Sequence, residues 1–218
     1  MRFNTRNQPE SFTSNDDAEA QRRHESYLTD YFQWLDTRSP PAPEARQVTV
    51  TARSPLSPVL TAMQALGEEL RSRQITLRVV FCDVDPERAL HSIWKTISAL
   101  SEGSEHGDLV RWNAASGMLE AHEQMILGRR MCWTGDAMRR MPGRRDGFDL
   151  FETDAPDICR LGVQSFCAMW RLAQPVPMWL LREAKKVRPN ATFAGPDTRA
   201  LATLSFFRKL ERPDNNCH

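Results

Sequence analysis

The chain has 218 residues, 40% of them hydrophobic and 26% charged, enough to bury one sizeable core without disulfide or metal staples. Lys+Arg 29 against Asp+Glu 28 leaves a formal net charge of +1, which excludes a surface built throughout for nucleic acid but allows a local basic patch. The opening MRFNTRNQPESF lacks the apolar core of a signal peptide and no apolar run has the length of a bilayer span, so a cytoplasmic location is expected.

Residues Met1 to Asn15 are polar and are expected to be disordered. A helix is predicted from about Asp16 to Asp36, capped by Ser14 or Asn15, with Leu28, Tyr31, Phe32 and Leu35 on one apolar stripe. Ser39 to Glu44 (SPPAPE) reads as a stiff linker. Gln47 to Arg53 alternates as a strand, and Pro58 to Arg73 follows as a helix with Ser57 as cap. Ile75 to Phe81 is a second strand, and Pro86 to Leu100 a second helix carrying Leu90, Ile93, Trp94 and Ile97. After the polar loop SEGSEHG, a short strand starts over Leu109 to Trp112. Glu123 to Trp133 reads as a hairpin turning at Gly128 and Arg129, Phe148 to Glu152 as a strand, and Asp157 to Leu172 as a helix. Beyond Pro175 the chain is broken by prolines, with short helices expected over VPMWLLREAKKV and Thr198 to Arg212.

This alternation describes an α/β fold, a mixed sheet sandwiched by helices, with an N-terminal helical extension and no internal repeat. Three parts are expected: a flexible extension over 1–45, the α/β domain over 46–175 and a helical tail over 176–218. The five cysteines, Cys82, Cys132, Cys159, Cys167 and Cys217, contain no close CxxC pair and suggest neither a zinc knuckle nor a disulfide framework. Cys82 and Cys132 fall in strands, where a reduced thiol acts as a small apolar group. No cofactor or metal is expected. Asp83, Asp85 and Glu87 follow a strand, but Pro86 opens a helix there and capping explains Asp85 more simply than magnesium does.

Two features suggest binding. Arg129, Arg130, Arg139, Arg140, Arg144 and Arg145 crowd one stretch, and guanidinium groups hold phosphate bidentately. The same stretch, with Pro142 and Gly143 between its charges, also reads as a solvated turn. Tyr31, Phe32 and Leu35 on the first helix offer a partner contact, or fold back on their own domain. GxSxG, GxxxxGK[ST], GxGxxG and HExxH are all absent.

From Val48 to Ala173 the chain resembles one half of a phospholipase D superfamily protein. His122, Glu123 and Gln124 (HEQ) take the place of that family's His-x-Lys, and Arg129 falls where its Asp would stand. Thr134, Gly135 and Asp136 lie near its Gly-Ser, and Phe166 and Trp170 suit its closing helix. The resemblance implies a site where one His attacks phosphorus and a second, from another motif, protonates the leaving oxygen. Only His122 of that motif is retained, and losing the Lys charge costs on the order of 10²–10³ in rate.

The resulting expectation is a non-catalytic binding protein with a degenerate site. It would hold a phosphate-bearing ligand, nucleic acid foremost, through Gln124, Arg129, Arg130, Arg139, Arg140, Arg144 and Arg145. One alternative is a phosphodiesterase or nuclease acting as a homodimer with His122 as nucleophile. Another is a protein-interaction module without a ligand site.

Overall fold

The computed structural model describes residues 10–12, 16–38, 41–82, 100, 109–113, 121–137 and 148–176. Its strands are β1 (Glu10–Phe12), β2 (Gln47–Ala52), β3 (Thr76–Phe81), β4 (Val110–Trp112), β5 (Gln124–Leu127), β6 (Met131–Ala137), β7 (Phe148–Glu152) and β8 (Gln174–Pro175). The helices are α1 (Asp17–Asp36), α2 (Pro58–Ala65), α3 (Gly67–Ser72) and α4 (Pro156–Leu172). The strands form one sheet in the order β1-β7-β6-β5-β2-β3-β4-β8. β2, β3 and β4 run parallel, while the other neighbours pair antiparallel. The fold is therefore α/β with a mixed sheet and helices on both faces.

The period-2 pattern assigns the faces. Val48, Val50, Ala52, Leu77, Val79, Phe81, Val110, Trp112, Met125, Leu127, Met131, Trp133 and Phe151 alternate along their strands and are buried in one cluster. Leu28, Tyr31, Phe32 and Leu35 of α1 join the same cluster, with Val59, Leu60, Ala62 and Met63 of α2. Each fully buried side chain of this size contributes about 1.5–3 kcal/mol. α4 lies on the opposite face, where Cys159 meets Ile126 and Cys132, and Phe166 meets Val80.

Several local expectations are corrected. Residues 10–12 form β1 on the edge of β7, because backbone pairing needs no apolar side chains. The N-cap of α1 is Asp16, whose carboxylate accepts from the Ala18 amide at 2.9 Å. The helix expected over Pro58 to Arg73 is two helices, parted at Leu66 just before Gly67, a weak helix former. Ser57 makes no side-chain cap on α2, because its hydroxyl is engaged elsewhere. Part of SPPAPE forms a 3-10 turn, Pro43–Arg46.

The helix of the expected N-terminal extension is a core element. Tyr31, Phe32 and Leu35, expected at a partner contact, are 0%, 5% and 3% exposed. The Tyr31 hydroxyl donates to the Ala45 carbonyl, and Tyr27 stacks on Phe151 with ring centroids 3.8 Å apart. The stripe has found its apolar surface within its own chain. The expected helix Pro86 to Leu100, apart from Leu100 itself, and the segments after Val176 lie outside the described residues.

Candidate functional site

The registers show which residues share an end of the sheet. Ala52 pairs with Phe81 and Phe81 with Trp112, so the parallel strands β2, β3 and β4 finish together. Thr51 faces Gln124, so β5 starts at that same end. Gln124 faces Thr134, and Ala137 faces Phe148, so β6 ends and β7 begins there too. Carboxyl ends of parallel strands are where open α/β sheets most often bind ligands. The anchors of the arginine-bearing segment, Ala137 and Phe148, therefore flank the end at which His122 stands.

His122 stands two residues before the first residue of β5 and its side chain is exposed. Its two successors point to opposite faces, as strand alternation requires. Glu123 turns toward α2, where its Oε1 accepts from the Arg53 amide at 2.9 Å and the Ser57 hydroxyl at 2.6 Å. The Glu123 carbonyl also accepts from the Gly135 amide at 2.9 Å. One carboxylate thus fastens the start of β5 to the β2–α2 loop.

Gln124 turns under α4. Its Nε2 lies 3.5 Å from Thr134 Oγ1 and 3.6 Å from Cys132 Sγ, both long contacts. A Cβ at Gly162 would sit 2.9 Å from Gln124 Oε1 and 2.6 Å from Ile126 Cδ1, so the glycine lets α4 lie close over this pair. Burial pushes the neighbouring thiols up, Cys132 to about 11 and Cys159 to about 12, which keeps both protonated and unreactive at neutral pH. Gln124 is thus an uncharged, half-buried amide turned toward α4.

Of the candidate arginines, Arg129 and Arg130 fall among the described residues. Arg129 and Arg130 follow β5, so the strand itself puts them about 10 Å or more from the His122 end. Arg130 pairs with Asp154 at 2.9 Å, and Arg129 approaches Glu44 at 3.7 Å. The structure does not bring these two to His122, contrary to the expected single phosphate-binding set. Arg139, Arg140, Arg144 and Arg145 lie outside the described residues, as do Asp83, Asp85 and Glu87.

Sequence reasoning missed Ser57 and Arg53 as neighbours of the HEQ segment, since nothing local links residues so distant in the chain. Among the described residues no cluster of His, Cys, Asp and Glu has a metal-binding arrangement, and no helix is long and apolar enough to cross a membrane.

The chain matches no family model and no curated protein. Among solved structures it is similar to Nuc from Salmonella typhimurium, a phospholipase D family member, at 10% identity with a TM-score of 0.49, covering 78% of this chain and 98% of that chain.

Proposed function

We propose that this protein is a cytoplasmic, phospholipase D-like binding protein that holds a phosphate-bearing ligand, nucleic acid foremost, without cleaving it. The ligand would lie at the end of the sheet where β2, β3 and β4 finish and β5 starts. The observation that carries the reading is the pairing of an exposed His122 with an uncharged, inward-facing Gln124. A phosphoryl-transfer site needs positive charge aimed at the developing phosphorane, and Gln124 offers none. The segment bearing Arg139, Arg140, Arg144 and Arg145 is anchored by Ala137 and Phe148 at the same end of the sheet as His122, and its charge would serve to hold a phosphate there.

The test uses labelled single- and double-stranded DNA and RNA at two salt concentrations. Wild type is expected to shift the label without cutting it, and the shift should weaken as salt rises. Replacing Arg139, Arg140, Arg144 and Arg145 by alanine should abolish the shift, while Arg129→Ala should leave it unchanged. No shift with any of these probes would defeat the nucleic-acid reading. Cleavage that disappears in His122→Ala would instead establish the nuclease alternative, which the exposure of His122 leaves chemically open.

A further inference from the structure

Two arginines and a tryptophan gather where α4 ends over β3 and β4. Leu77, Val79 and Phe81 of β3, with Val110 and Trp112 of β4, belong to the core cluster on the far face, so alternation turns Arg78 and Arg111 toward α4. Both guanidiniums lie over the ring of Trp170, Arg111 Cζ at 4.6 Å and Arg78 Cζ at 5.7 Å from its centroid. Arg111 Nη1 donates to the Trp170 carbonyl at 2.8 Å, so Arg111 caps the carboxyl end of α4. That contact accounts for one of its N–H groups. Its Nε is buried without a hydrogen-bond partner, and the exposed Arg78 has neither a hydrogen bond nor an ion pair among the described residues.

The charge at this place does not balance. Strands β2, β3, β4 and β8 carry no acidic residue. The one carboxylate of α4, Asp157, stands in its first turn and pairs with Arg160 at 3.2 Å. Glu68 and Glu69 belong to α3, whose Leu70 packs in the cluster on the opposite face. Arg171, next to Trp170, is exposed and adds positive charge. A helix carboxyl end offers about half a negative charge, against two guanidiniums that one indole holds close together. Like charges so placed repel unless an anion lies between them.

We propose that Arg78 and Arg111, held by Trp170, form a binding site for a phosphate dianion, free or at the end of a monoester. A guanidinium resting on an aromatic face keeps its N–H edge open to oxygen acceptors. A carboxylate, with two coplanar oxygens, is satisfied by a single guanidinium fork. A phosphate has oxygens in tetrahedral directions that two guanidiniums from neighbouring strands can share, and its double charge matches theirs. Arg111 and Gln124 lie in one row across the sheet, through Val80 and Thr51, three strands apart, which is about 14 Å. The site is therefore separate from the His122 end, and the proposal stands whether or not that end binds nucleic acid.

Calorimetric titration of the full chain with inorganic phosphate tests it, with ionic strength held constant by chloride and tryptophan emission followed in parallel. Wild type is expected to show saturable binding, with a change in emission that disappears in Trp170→Phe. Arg78→Gln should weaken binding roughly ten-fold or more. Without phosphate it should melt like wild type, since Arg78 is exposed. Arg111→Gln should weaken binding too, but also lower the melting temperature, because it uncaps α4. Glycerol phosphate, titrated alongside, separates the two forms of the ligand: tighter binding than inorganic phosphate identifies a monoester site, weaker binding a site for the free ion. A wild type without saturable phosphate binding would overturn the proposal. So would binding that Arg78→Gln leaves intact, which would put the phosphate elsewhere, the His122 end included. Acetate bound as tightly as phosphate would overturn the choice of ligand.

Discussion

His24 shows how one buried side chain sets a pH dependence. It is 2% exposed, lies edge-on to Trp133 with centroids 4.3 Å apart, and its Nδ1 has no hydrogen-bond partner among the described residues. Burial pushes its pKa from 6.5 down to about 4. The unfolded chain therefore takes up a proton that the folded one refuses, and stability falls as pH drops from about 6.5 to about 4. The loss over that window is on the order of 3 kcal/mol. Urea midpoints measured across it should decline steeply in wild type and flatten in His24→Gln; equal slopes would assign the effect to other groups. Glu123 makes a second prediction at this scale. Ser57 is 5% exposed and its hydroxyl donates to Glu123, so Glu123→Ala should cost about 1–3 kcal/mol. Glu123→Gln keeps an acceptor and should cost less, which denaturant titration of the two variants would resolve.

Among the elements, the β5–β6 hairpin rests on Gly128, at φ +63°. A Cβ there would meet the Ala45 carbonyl oxygen at 3.0 Å, and the Gly128 amide donates to the Gln47 carbonyl at 2.8 Å. Gly128→Ala should therefore lower stability by about 1–2 kcal/mol, seen as a reduced melting temperature with the same far-ultraviolet spectrum. The turn holds Arg129 and Arg130 at its own end of the strand, near Glu44 and Asp154. Register thus sets Arg129 and Arg130 at the end of β5 opposite to His122. α4 has two faces as well, burying Cys159 and Phe166 on Ile126, Cys132 and Val80 while presenting another stripe outward.

At the scale of the molecule, a net charge of +1 gives no long-range attraction to a polyanion. The proposed binding at the His122 end would have to come from local arginines, so its affinity should fall steeply with salt in proportion to the phosphates contacted.

The strands Gln47–Ala52, Thr76–Phe81 and Phe148–Glu152, the hairpin at Gly128 and the closing helix were all legible in the chain, because each carries its own period of apolar residues and its own turn chemistry. The α/β class followed from their alternation. β1 was not legible, because its pairing lies in the backbone and its partner more than a hundred residues away. The burial of Tyr31, Phe32 and Leu35 was equally hidden, since an apolar stripe looks the same in sequence whether it meets another protein or its own sheet. The HEQ segment could be picked out as a motif, but alternation across the sheet decided that Glu123 reaches Ser57 while Gln124 turns under α4. Local pattern determines which elements form. Which residues meet is a property of register and of long-range packing, and those exist only once the strands have paired.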